Sequence, residues 1–222
     1  MEDQNKTHHT EHKSEPMPDI GKVDLKSVSP DALKGGFGDI IEILKMNQTK
    51  MDAVAARDGE GITLALVYLV VGQLVAALGG AVLGYTILGT TFRTPIVNAL
   101  IGGVVSAAIS ALVLYITSMI AVRVFNGKGK FPAYFRVMGY ASLINVVGFL
   151  TMVPFLTAIS GIWLLVINYK ALMSVHKLDS TNAILSIVLT VVAFFVLTYL
   201  VGMIGLNALM AGGAGAVNYT VR

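Results

Sequence analysis

The chain has 222 residues, 55% hydrophobic and 13% charged, with a mean hydropathy of +0.74 and a formal net charge of +3. About a quarter of the residues in a soluble domain are charged, so an ordinary soluble fold is excluded. Cysteine is absent, which removes disulfides, thiolate catalysis and Cys-ligated metal; Asp179 is the one acidic residue after Glu60, so proton relays and carboxylate chemistry lack a carrier in the apolar region.

Residues 1–60 hold eight Lys/Arg against twelve Asp/Glu, and residues 61–222 hold eight Lys/Arg against Asp179 alone. The second half is a ladder of long uncharged runs separated by basic loops. In hydrocarbon the backbone must satisfy its own hydrogen bonds, so such runs become transmembrane helices. The reading is an all-α polytopic membrane protein: five transmembrane helices, a disordered N-terminal tail and a cytosolic amphipathic helix.

Residues 1–36 read as a polar tail with too few apolar residues to repay ordering. Within it, Ser29-Pro30-Asp31 has the form of a helix start, with a capping serine, proline at the first position and an acidic first turn. Gly35-Gly36 is expected to interrupt that helix. Residues 37–60 form an amphipathic segment, with Phe37, Ile40, Ile41, Leu44, Met51 and Val54 near one face and Asp39, Glu42, Lys45 and Asp52 elsewhere; Asn47-Gln48-Thr49 weakens it. Two placements are open, flat on the membrane or packed on the bundle ends.

Residues 61–211 form the membrane domain. The spans are expected at 62–88 and 96–122, with a short loop at 89–94, and at about 183–210, capped by Ser180 or Thr181. Between them, 137–169 has no charge and would be roughly 50 Å long as one helix, too long for a ~30 Å core. Pro154 divides it into two short spans, about 137–153 and 156–173, joined by a tight turn. Residues 212–222 form a glycine-rich tail. The loops around 123–136 and 170–177 are basic, so the positive-inside rule places them and the N-terminus in the cytosol and the C-terminus outside.

Two features mark interaction surfaces. Gly72, Ala76, Gly80 and Gly84 recur every four residues on the first span, and Ala99, Gly103, Ala107 and Ala111 on the second. Such spacing lets helix backbones approach closely, either within the chain or between two copies, with Leu74 and Leu112 on opposite faces. The loop with Arg123, Lys128, Lys130, Phe131 and Arg136 is the candidate contact for a partner or anionic lipid, or serves orientation alone. Gln73, Asn98, Asn145, Asn168 and Asn207 lie near membrane depth, lining a polar path or bonding across helices. His176, in a loop, reads as a hydrated side chain or a pH sensor.

Motif searches for enzymes fail. Gly127-Lys128-Gly129-Lys130-Phe131 lacks the first glycine and the final Ser/Thr of a phosphate loop, and His9-Thr10-Glu11-His12 lacks the zincin spacing. No catalytic residue, cofactor or metal is implied, and the basic charge is explained by topology rather than nucleic acid. The leading reading is a non-enzymatic scaffold with the bilayer and a cytosolic protein as partners; the alternative is a small-solute transporter or channel.

The stretch Phe125-Asn126-Gly127-Lys128-Gly129-Lys130-Phe131, followed by Tyr134 to Ala141, resembles the Yip1 family of membrane proteins. So do Ile162-Trp163, Ala171-Leu172, Val175-His176-Lys177-Leu178 and Ala183-Ile184-Leu185. The resemblance implies five spans and a cytosolic N-terminus. Eukaryotic members of the family act in vesicle trafficking, bind prenylated GTPases and associate with one another, so the resemblance implies a homo- or hetero-oligomer, whereas prokaryotic members are mostly without assigned function. Ile144 stands where a proline often follows the Gly-Tyr start, and the N-terminal Asp-Leu-Pro type motif is missing. Both departures count against GTPase binding and favour a prokaryotic-type member, for which the cell membrane is expected, as ER or Golgi membranes would be for a eukaryotic one.

Overall fold

The computed structural model describes residues 28–57, 60–83, 85–87, 90–92, 95–150 and 154–213. The expected disordered tail up to residue 27, nearly all of the glycine-rich C-terminal tail, and Gly84 lie outside them. The described chain runs α1 (Pro30–Leu44), α2 (Gln48–Ala55), α3 (Glu60–Val82), a hairpin of β1 (Tyr85–Ile87) and β2 (Thr90–Phe92), then α4 (Ile96–Arg123) and α5 (Phe131–Ala141). A 3-10 segment (Ser142–Phe149), α6 (Pro154–Val175) and α7 (Ser180–Gly213) complete it. Among the described residues, four helices, with windows Gly61–Val82, Ile96–Arg123, Ala158–Val175 and Ser180–Leu200, are long and apolar enough to cross a membrane.

The helix start at Ser29 forms as its residues dictate. Ser29 is extended, its Oγ accepts from the Ala32 amide at 3.1 Å, and Pro30 opens the helix. Gly35-Gly36 does not break α1, and the helical unit begins before the expected boundary at 37. Each glycine costs a helix about 1 kcal/mol, but Gly36 lies directly beneath the Tyr68 ring of α3, where no side chain fits, and the Tyr68 hydroxyl donates to the Leu33 carbonyl at 3.1 Å. The break comes later. Met46 takes φ 60 in the left-handed region, and Asn47 restarts the chain by accepting from the Lys50 amide at 3.2 Å.

Ile40, Ile43, Met51 and Val54 are buried in the main core cluster with residues of α3, α5 and α6. Burying each such side chain is worth about 1.5–3 kcal/mol, so α1 and α2 are packed on the bundle along this face. Phe37 and Ile41 remain outside it, 57% and 48% exposed.

Three further boundaries differ from the expected ones. Helix α3 stops at Val82 rather than 88, and the chain turns back in a hairpin pairing Tyr85 with Phe92. Helix α5 starts at Phe131, inside the expected loop, and the span drawn at 137–153 is not one α-helix but α5 followed by the 3-10 segment. The cap of α7 is Asp179 rather than Ser180 or Thr181: its Oδ1 accepts from the Asn182 amide at 2.9 Å. Pro154 opens α6, as a proline at a helix start should.

The two small-residue stripes do not face each other. On α3 they receive the 3-10 segment: a Cβ on Gly72 would stand 2.5 Å from the Ser142 carbonyl oxygen, and one on Gly148 would stand 3.0 Å from the Ala76 Cβ. Gly79 meets the Phe149 backbone, and Gly80 beside it is buried. On α4, Ala99, Gly103 and Ala107 are buried and Ala111 is partly so; a Cβ on Gly103 would stand 2.8 Å from the Leu74 Cδ2. Leu74 therefore lies in the α3–α4 contact rather than on an opposite face, whereas Leu112 is 46% exposed.

These approaches predict a stability series. Gly72→Leu and Gly103→Leu should each destabilise the detergent-solubilised protein by about 1–3 kcal/mol through overpacking. Gly102→Ala, at a glycine inside α4 with nothing within 4 Å of the added carbon, should not lower the melting temperature and should raise it slightly, since alanine favours the helix. Thermal unfolding monitored by size exclusion gives the readout, and equal melting of all three variants would contradict the packing.

Candidate functional site

The ends of α4 and α6 build one feature, a pair of interlocked loops. After α4, Asn126 takes φ 54 and the Gly127 amide donates back to the Ala121 carbonyl at 2.8 Å. After α6, the His176 amide donates to Leu172 at 3.1 Å and Lys177 takes φ 54. The loops are joined by the Lys128 amide donating to the His176 carbonyl at 2.9 Å. Glycine is required at two points of this clasp: a Cβ at Gly127 would press on the Ala121 carbonyl oxygen and the His176 Cβ, and one at Gly129 would collide with the Val175 carbonyl oxygen. The alternation of glycine and lysine has this physical reason. The glycines let one loop lie on the other, and the lysines between them point outward.

Arg123, Lys128 and Lys130 are exposed on the clasp. Phe131 is partly buried and stacks edge-on against Tyr115 at 5.3 Å and obliquely on Phe135 at 5.5 Å, anchoring the loop end. Arg136 is placed differently from the other four. It is 9% exposed, its Nη2 donates to the Ala55 carbonyl at 2.8 Å, and its Cδ fills the space left by Gly61. That guanidinium closes the C-terminus of α2, where carbonyls lack intrahelical partners, and it adds nothing to the exposed basic face.

Several structural residues at this end escaped the sequence reading. Asp39 is 3% exposed and pairs with Lys50 at 2.7 Å and with Arg57. The signal was present: Gly36, Asp39, Ile40 and Ile43 fall at i, i+3, i+4 and i+7, one buried face of α1. Asp52 accepts from Ser174 at 2.6 Å and from Lys177 at 3.2 Å, and the Trp163 indole donates to the Leu44 carbonyl at 2.9 Å. These bonds tie the C-terminal end of α1 and Asp52 of α2 to α6 and the loop after it, and no local sequence pattern announces them.

His176 is not hydrated. It is fully buried beneath the clasp, with Nε2 3.2 Å from the Ser118 hydroxyl and its ring 5.3 Å from that of Tyr134. Burial pushes its pKa down to about 4, so the imidazole is neutral near pH 7. Among the described residues no group of three or more His, Asp or Glu side chains is placed to hold a metal.

The buried imidazole makes stability depend on pH. The unfolded chain takes up this proton near pH 6.5, whereas the folded protein resists it until about pH 4. Between these values the unfolded state binds more protons, so the stabilisation is complete above pH 6.5 and is lost progressively as pH falls towards 4. The melting temperature should therefore fall across that window. In His176→Gln the fall should be largely removed; an undiminished slope would show that the histidine does not report on the clasp.

A family model for the Yip1 domain matches residues 43–201. No curated protein and no solved structure matches the chain. The matched segment holds α2 through most of α7, including both clasp loops, all four apolar helices and the α3 face that receives the 3-10 segment. The chain belongs to the Yip1 domain family of transmembrane proteins.

Proposed function

We propose that this protein is a non-enzymatic membrane scaffold that recruits a protein partner to its basic, cytosolic end. The observation that carries the reading is the clasp. Lys128 and Lys130 alternate with glycines whose backbone is fixed against His176, so the two ammonium groups and Arg123 are presented from an ordered surface. Ordering the loop in advance lowers the entropic cost of engaging a partner. The partner face that fits is acidic, and its attraction should weaken as salt screens it. The exposed Phe37 and Ile41 of α1 offer apolar contacts at the same end of the molecule.

Orientation belongs to the same proposal. Lys128 touches His176, so the N-terminal end of α5 and the C-terminal end of α6 lie together. If α6 crosses the bilayer, the α5–3-10 unit must return across it. Its length allows this: eleven α-helical residues at ~1.5 Å and eight 3-10 residues at ~2.0 Å give roughly 32 Å. Five crossings follow, with the N-terminus and the basic loops inside by the positive-inside rule.

The test is affinity capture from native membranes with the full chain. Lys128→Glu together with Lys130→Glu should reduce recovery of the bound protein about tenfold, and raising salt from about 0.1 M to 0.5 M should do the same to the wild type. Capture of an unchanged partner set under both conditions would contradict recruitment by this face. Loss of binding to anionic vesicles without loss of any protein would assign the face to lipid instead. Robust gradient-driven solute uptake by the protein in liposomes would also overturn the reading.

A further inference from the structure

We infer that the bundle holds a binding site for a neutral-headed lipid of the acylglycerol class, in a cavity between α3, α4, α6 and the 3-10 segment. This goes beyond the recruitment role and uses none of the residues on the basic face.

The cavity measures about 260 Å³. Its polar lining comes from Gln73 of α3, Ser110 of α4, Ser142 and Asn145 of the 3-10 segment and Asn168 of α6. Ser110 is thirteen residues before Arg123, so the cavity lies roughly 20 Å below the basic end of the bundle at ~1.5 Å per residue. It opens sideways between side chains that face the surroundings, Ile109 at 43% and Leu165 at 50% exposure.

The unused hydrogen-bonding capacity identifies the ligand class. Gln73 spends its amino group on Ser110 at 3.1 Å, leaving its carbonyl oxygen as an acceptor. Asn168 accepts from Tyr134 at 2.5 Å, leaving its amino group as a donor. Among the described residues Asn145 has no hydrogen-bond partner, so both ends of its amide are available to a ligand. Polar groups left unmet at this depth are costly. A ligand that meets them must both donate and accept, as the hydroxyls and ester of a glycerol head do. No charged side chain lines the cavity, so a phosphate or carboxylate head would enter uncompensated. A volume of this size holds a small head and the first carbons of a chain, less than a drug-sized ligand of about 300 Å³ or more requires.

A path for the tail adjoins the head site. Leu165 also borders a groove of about 290 Å³ between α6 and α7, lined by apolar side chains such as Ile162, Ile184 and Val188 and by the Tyr169 ring. Head cavity and apolar groove on two sides of one leucine fit a single-chain or two-chain amphiphile, not a free polar solute.

The full chain in detergent should be photolabelled with a diazirine-bearing monoacylglycerol, in parallel with a probe of the same chain carrying a phosphate head. We expect the neutral probe to concentrate in the tryptic peptide 137–170, at least about fivefold above the phosphate probe. Asn145→Leu removes an amide with no partner among the described residues and should cut that labelling about fivefold at unchanged melting temperature. Ile109→Trp, which plugs the mouth from the exposed side, should do likewise, while Phe195→Ala on the exposed face of α7 should have no effect. Labelling spread evenly over the lipid-facing helices, equal labelling by both probes, or labelling insensitive to both blocking variants would overturn the site. So would the absence of labelling above background, which would leave water as the partner of the amides.

Discussion

Everything in this molecule is arranged around the small-residue face of α3. A 3-10 segment has poorer hydrogen-bond geometry than an α-helix and is seldom long, and within a bilayer irregular backbone survives only when protein covers it. Eight residues of 3-10 geometry persist here because Gly72, Ala76 and Gly79 let the Ser142–Phe149 backbone rest directly on α3. Gly139 of α5 continues the same contact higher up, against the Ala65 carbonyl. The opposite side of α3 receives α4 through Gly103. Helix α3 is thus the central post, and α5, the 3-10 segment and α4 are set by how closely their backbones can approach it.

That arrangement positions the basic end. With α5 fixed to α3, its N-terminal loop is held where α6 ends, and the two loops interlock over His176. Helices α1 and α2 then close the same end through Asp39, Asp52, Trp163 and the inward Arg136. The charged residues there divide into two sets. Asp39, Lys50, Arg57 and Arg136 hold helices together, while Arg123, Lys128 and Lys130 are left exposed. A family match identifies the domain, but the separation of structural from exposed charge comes from geometry alone.

The sequence carried local and compositional signals well. The Ser29 cap, the break at Pro154 and the apolar spans were legible because one residue type or one long run decides each of them, although α6 starts at Pro154 itself rather than at about 156. Tertiary decisions were not. Gly35-Gly36 reads as a break unless the Tyr68 ring above it is known, and a left-handed Met46 has no signature. Arg136 reads as a loop residue because α5 begins six residues before the apolar run does, and His176, which is a loop residue, reads as hydrated because nothing local shows that a second loop covers it. The stripes were visible as stripes, but their partners depend on a 3-10 segment that no periodicity distinguishes from a short α-span. Asp39 shows a different failure: its helical register was readable, and its charge argued against using it.

The central claim is that the α5–3-10 unit crosses the membrane in full, held against α3. The absence of cysteine makes a direct measurement simple. Single cysteines at Lys128, Leu150 and Lys177 can be probed with an impermeant thiol reagent on sealed vesicles of known orientation. The account predicts that Leu150→Cys reacts from one side and that Lys128→Cys and Lys177→Cys react only from the other. Reaction of Leu150→Cys from the same side as Lys128→Cys would contradict it.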